Sequence, residues 1–177
     1  MEHYELLQKQ NKMLKCLSAL PRRIVQLQGI ENLTEFVFHD LCNRDCFNFD
    51  RAAFFIDNPD FDCTKGIAGF NREQSFAEKD DIWCDIPAFT NHMKSSAFNA
   101  KVRSLMLCSL KKNQRDEQEL ASDLAHDLGF NNFAFCSWDM RHHNHGLVVY
   151  ERLEECDVTT QELIRDGLNV LSFCPVF

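Results

Sequence analysis

Glycine is scarce in this sequence. Six glycines in 177 residues leave little material for a Gly-rich phosphate cradle. There is no Gly-x-Ser-x-Gly elbow and no His-Glu-x-x-His pair, the signatures of an α/β-hydrolase nucleophile and a zinc-protease helix. No apolar run approaches the ~20 residues that a membrane helix requires. The opening MEHYELLQKQNK is charged throughout, so no secretory signal is expected. Positive charge is also short: 19 Lys and Arg face 27 Asp and Glu, for a net charge of −8. Nucleic-acid binding needs clustered cations. The densest basic group, Lys111-Lys112 with Arg115, meets acid at Asp116-Glu117. Direct nucleic-acid binding is not expected, nor is a membrane partner.

The nine cysteines are dispersed, with neither a metal-knuckle spacing nor a thioredoxin-type pair. An odd, scattered set points to free thiols in a reducing, cytoplasmic setting, where cysteine behaves as a small buried hydrophobe. Cys42 and Cys46 are spaced to share one helix face. The acids Asp40, Asp45 and Asp50 beside them oppose thiolate formation.

Phenylalanine dominates the aromatics, with sixteen Phe against two Tyr and two Trp. Phe has no polar tip, so most of these rings are expected inside or around an apolar cavity. The length fits one domain.

Along the chain, Leu6, Leu7, Met13, Leu14 and Leu17 recur at helical spacing, and Pro21 is expected to break or restart that helix. Ile30, Leu33, Phe36, Val37 and Leu41 mark a second helix that ends near 43–45. Residues 52–56 read as a strand, Asn58-Pro59-Asp60 as a turn, and 64–70 as an antiparallel partner weakened by Gly66 and Gly69. After a polar stretch, Pro87 opens a helical segment over 88–100. Residues 102–110 read as a strand. A helix over 116–128 precedes Gly129 as a C-terminal stop. Strands at 133–139 and 146–152 flank a polar turn at 141–145. A last helix begins at Thr159, capped by Asp157 or Thr159. This order predicts an α+β fold: an antiparallel sheet of about five strands flanked by N- and C-terminal helices. The division expected is an N-terminal helical segment, 1–28, and a domain over 29–177.

The helix-to-strand passage Ile30–Ile56 and the closing stretch ELASDLAHDLGFNNFAFCSWDMRHHNHGLVVYERLEECDVTTQELIRDGLNVL resemble a GAF-type sensor domain. The closing stretch is also similar to the autoinducer-binding domain of quorum-sensing regulators. The resemblance implies a GAF/PAS-like fold and a sensor role in signal transduction and transcription regulation. It also implies dimerisation through the terminal helices.

The candidate ligand site follows from strand alternation. Phe54 and Ile56 share one strand face, Cys136 and Trp138 another, and Val148 and Tyr150 a third. If these faces coincide, they line an apolar pocket that Trp83 and Phe89 would cover. The other reading of these residues is an ordinary packed core. His142, His143 and His145 are a candidate metal cluster, against a solvated hairpin turn. No cofactor and no catalytic residue is assigned. The expected role is a non-enzymatic sensor of a small apolar or amphipathic ligand. The alternatives are a protein-interaction regulator of the same fold without a pocket, or a small Cys/His enzyme.

Overall fold

The structure, a computed structural model, describes residues 2–76, 81–152 and 157–175, with side chains from Tyr4 onward. Its frame is a five-stranded antiparallel sheet. The strands are β1 (Arg51–Asn58), β2 (Cys63–Asn71), β3 (Met106–Leu107), β4 (Phe133–Asp139) and β5 (His145–Glu151), in the order β3-β2-β1-β5-β4. The helices are α1 (Glu2–Gln26), α2 (Leu33–Cys42), α3 (Ile86–Ser95), α4 (Ala97–Ser104), α5 (Glu117–Leu128) and α6 (Val158–Leu168). The fold is α+β with flanking helices, as the element order predicts.

Alternation along the strands divides the core in two. Phe54, Ile56, Phe70, Trp138, Val148 and Tyr150 point to one face, which α1, α2 and α6 cover with Met13, Leu20, Val37, Phe38, Ile164 and Leu168. Ala53, Phe55, Leu147 and Val149 point to the other, covered by Phe98 and Val102 of α4 and by Leu120, Leu124 and Leu128 of α5. Met13, Leu20 and Ile24 place α1 in the same core as residues 29–175.

Pro21 does not interrupt α1. It lies on the exposed side, while Leu20 and Ile24 beside it are buried. Burying two such side chains contributes about 3–6 kcal/mol, enough to offset the ~3 kcal/mol cost of an internal proline. The expected α1 stripe also divides. Met13 is buried and Leu17 packs against the core, but Leu7 and Leu14 face outward.

The helical segment after Pro87 is two helices. Asp85 caps α3 through the Ala88 N–H (3.0 Å), and Ser96 caps α4 through the Asn99 N–H (3.2 Å). The expected strand over 102–110 shrinks to β3. Helix α4 continues to Ser104, because Phe98 and Val102, four residues apart, both reach the core. Further on, Leu110 and Lys111 donate their N–H groups to the buried carboxylate of Asp57 (2.9 and 3.1 Å) rather than to a strand. Cys108 is therefore exposed and outside β3.

Strand β2 carries the irregularity its glycines suggest. Phe54 pairs with Ala68 and Phe55 with Gly66, which leaves Ile67 as a bulge. A Cβ at Gly66 would lie 1.9 Å from the Val102 carbonyl oxygen, so only glycine lets α4 lie this close to β2. Asp116 and Asp157 cap α5 and α6, and Gly129 ends α5 at φ 71°. His145, expected in a turn, begins β5; His142 and His143 form the turn in left-handed geometry.

Candidate functional site

Helix α2 is buried on almost every side, between the sheet, α1 and α3. Residues that a surface helix would turn to water must therefore find partners inside. Glu35, His39 and Asp40 do so in three different ways.

Glu35 is satisfied. It accepts from Asn99 Nδ2 (3.0 Å), Arg103 Nη1 (2.9 Å) and Asn32 Nδ2 (3.3 Å). Asn99 also accepts the Gly69 N–H (2.9 Å), so the network fixes α4 between α2 and β2. A cleft of about 520 Å³ opens beside it, lined by Thr34, Glu35, Lys65, Ile67, Arg103 and neighbours.

His39 lies one turn further along α2. It is 5% exposed, and among the described residues neither ring nitrogen has a hydrogen-bond partner. Its walls are aromatic. Phe70 of β2 meets it edge-on at 5.1 Å and Phe89 of α3 at 5.0 Å. Burial, with the nearby charge of His92, lowers the His39 pKa to about 4, so the ring is neutral at neutral pH. A neutral imidazole has one N–H donor and one acceptor. Leaving a buried polar group unpaired costs about 1–3 kcal/mol.

Over His39 sits a small apolar cluster: Phe36, Ile82, Phe89 and Met93, joined by Phe76, Trp83 and Ile86. Phe36 contacts Phe89 at 4.3 Å and Trp83 at 5.3 Å between centroids. Only Phe89 and Met93 of α3 are buried. A helix anchored by so little apolar surface belongs to the less stable parts of a fold.

Asp40 is the polar hub beside this cluster. It accepts the Trp83 indole N–H at 2.9 Å and forms an ion pair with Arg23 of α1. Arg23 also reaches Asp81 (3.4 Å) and lies over the Trp83 ring at 5.4 Å. Burial raises the Asp40 pKa, while the Trp83 bond and Arg23 pull it down. Asp40 thus joins α1, α2 and the segment at 81–83.

The candidate ligand residues fall into two groups. Phe54, Cys136, Trp138 and Tyr150 do share one face, as the alternation suggests. Phe54 stacks on Trp138 at 5.8 Å, and Tyr150 on Phe49 at 4.2 Å. The Trp138 indole donates to Ser172 Oγ at 2.8 Å. The protein's own Phe38, Phe47, Ile164 and Leu168 cover that face. Trp83 and Phe89 lie in the cluster over His39, with Trp83 also touching the main core.

Sequence patterning missed His39, Asp40 and Arg23. His39 and Asp40 read as the wet face of an amphipathic helix. Their only signal is that Glu35 and His39 stand four apart, on one face of a helix whose other positions are also apolar.

Cys46 does not share a helix face with Cys42, because α2 ends at Cys42. Cys156 and the acidic pair Glu154-Glu155 lie outside the described residues, as does Asp80. His145 sits 2.9 Å from Glu117 and 3.2 Å from Asp139, closing the β4–β5 hairpin onto α5. Among the described residues, no group of three or more His, Cys, Asp or Glu side chains is placed to hold a metal ion. None of the described helices is long and apolar enough to cross a membrane.

Comparison with protein-family models, with curated proteins and with solved structures returned no match.

Proposed function

We propose that this chain is a non-enzymatic, cytoplasmic sensor domain of GAF type that binds a small apolar or amphipathic ligand between α2 and α3. The observation that carries the reading is His39: a buried, neutral imidazole whose two nitrogens find no partner among the described residues, inside an aromatic shell. A ligand with an apolar body and one hydroxyl, carbonyl or amide group suits that environment. Its polar group pairs with His39, and its body packs among Phe36, Trp83, Phe89 and Met93. The structure then corresponds to the closed form, with α3 lying directly on α2. Phe54, Cys136, Trp138 and Tyr150 belong to the main core on the sheet and stay outside this site.

Signalling passes through Trp83. Displacing its ring disturbs the Asp40 and Arg23 contacts and so the seating of α1. The ligand shifts the population only as far as it favours one seating over the other. Helix α1 then reports to a second copy or a protein partner through its outer face, where Tyr4, Leu7, Leu14 and Val25 are exposed.

A thermal-shift titration with medium-chain alcohols, phenols and acyl amides tests this reading. A saturable rise in melting temperature in the wild type, absent in His39→Leu, supports it. No rise with any of them, or an equal rise in the variant, contradicts it.

A second reading is an interaction regulator of the same fold that takes no ligand. The exposed apolar residues of α1 favour it. In that case the partner binds while every compound in the titration is without effect.

A further inference from the structure

Strand β4 ends the sheet on one side, with β5 as its neighbour. Its seven residues pair with β5 without a register shift, from Phe133↔Glu151 to Asp139↔His145. The Met140 N–H donates to the Asn144 carbonyl at 2.8 Å, so the even-numbered backbone here turns toward β5. Alternation then turns the N–H and C=O groups of Phe133, Phe135, Ser137 and Asp139 outward. Among the described residues, no strand or turn pairs with them. Open edges are ordinarily guarded by lysine, proline, a bulge or short length. The opposite side of the sheet is guarded: β3 has two residues, and further along β2 the Gly69 N–H goes to Asn99. Strand β4 has none of these devices, and residues 133–138 carry no charge.

The two faces of this edge differ. Cys136 and Trp138 lie on the side of the main core, and Ala134 is exposed beside them. Phe133 and Phe135 lie on the side of α5, where Ser137 donates to Glu117. That side is acidic. Glu117 is 41% exposed and Asp139 80%, and the nearby cations, His145 and Lys111, are already engaged with them. Glu119, Asp123 and Asp127 are exposed further along α5. Arg141, His142 and His143 lie past the end of the strand, in the turn. Pairing β4 with the β4 of a second copy would set two acidic α5 helices side by side, in chains of net charge −8. Charge therefore favours a basic partner.

We propose that the open edge of β4 takes an extended segment of a partner protein, antiparallel to it, in which basic and apolar residues alternate. Partner residues hydrogen-bonded to Phe133, Phe135, Ser137 and Asp139 place their side chains on the α5 side. These are the basic ones: their charged ends reach Glu117 and Asp139, and their stems lie along Phe133 and Phe135. The residues between them lie beside Ala134, Cys136 and Trp138 and are apolar. Main-chain hydrogen bonds supply affinity, and the alternation of side chains supplies selection. The site does not depend on a ligand at His39.

The test follows amide hydrogen exchange of the full chain by NMR, with a probe peptide as long as β4 that alternates lysine and valine. The expected result is a saturable slowing, roughly tenfold, at the amides of Phe133, Phe135 and Ser137. Those of Ala134 and Cys136, already turned to β5, should change little. The same peptide N-methylated on its valines should protect as well. N-methylated on its lysines it should not, because the lysine N–H groups are the ones that face β4. A peptide with glutamate in place of lysine should give no protection. The proposal is overturned if the lysine peptide slows none of these amides, or if the glutamate or lysine-methylated peptide slows them equally. Protection of the same amides in the chain alone, rising with its concentration, also overturns it and makes a second copy the occupant. No substitution in the protein is needed, so the outcome does not depend on a variant folding.

Discussion

The indole N–H of Trp83 ends on the carboxylate of Asp40, 2.9 Å away, while Arg23 pairs with the same carboxylate from α1. One half-buried acid thus ties the ring over the proposed site to the terminal helix. Replacing Trp83 with Phe keeps most of the apolar bulk and removes the donor. The expected loss is about 1–2 kcal/mol by urea unfolding. Without the indole bond, the Asp40 pKa moves further up. Protonation then favours the folded state, so the deficit is largest at neutral pH and shrinks as pH falls through the Asp40 titration.

His39 gives the opposite pH dependence. Its folded pKa is about 4, below the ordinary 6.5. The unfolded chain takes up a proton as pH falls through 6.5, and the folded chain does not until about 4. Stability is therefore full above 6.5 and is lost between 6.5 and 4, by up to about 3 kcal/mol. His39→Leu should remove that loss and melt no lower than wild type at pH 7, because it deletes an unpaired polar group. Melting curves of the two proteins across pH 7 to 4 check this. Subtracting one from the other largely cancels the opposing contribution of Asp40.

Gly66 is where α4 presses onto β2. An Ala there meets the Val102 carbonyl oxygen at 1.9 Å, and backbone on both sides must shift. The expected destabilisation is at least about 3 kcal/mol, read by denaturant unfolding.

The outer face of α1 should govern assembly rather than folding. Leu7 and Leu14 are exposed, so a Leu7→Gln, Leu14→Gln double variant should change stability by no more than about 1 kcal/mol. If the proposed partner of this face is a second copy, sedimentation equilibrium should give a dimer for the wild type and a monomer for the variant.

The alternating strands were legible because period-two patterning fixes both the strand and its buried face. Phe54, Trp138, Val148 and Tyr150 accordingly share the face that alternation assigns them. Turn and cap residues were legible for a similarly local reason: Asn58, Asp116, Gly129 and Asp157 act on their immediate neighbours. What escaped was non-local. Residues 102–110 carry strand-like side chains, but the fate of their N–H groups is decided by Asp57, about fifty positions away. Pro21 is tolerated because of what Leu20 and Ile24 bury against. His39 looked solvated because helix periodicity cannot reveal that a third element, α3, closes over a polar face.

The most direct test places the ligand against His39 itself. Side-chain nitrogen NMR of the full chain, titrated with the same alcohols, phenols and acyl amides, follows the imidazole and both indoles at once. The expected result is that at least one compound saturably shifts the His39 ring nitrogens and the Trp83 indole, while the Trp138 indole, held by Ser172 on the main core, stays in place. If no compound moves His39, or if compounds that bind move Trp138 and leave His39 and Trp83 unchanged, the site between α2 and α3 is contradicted.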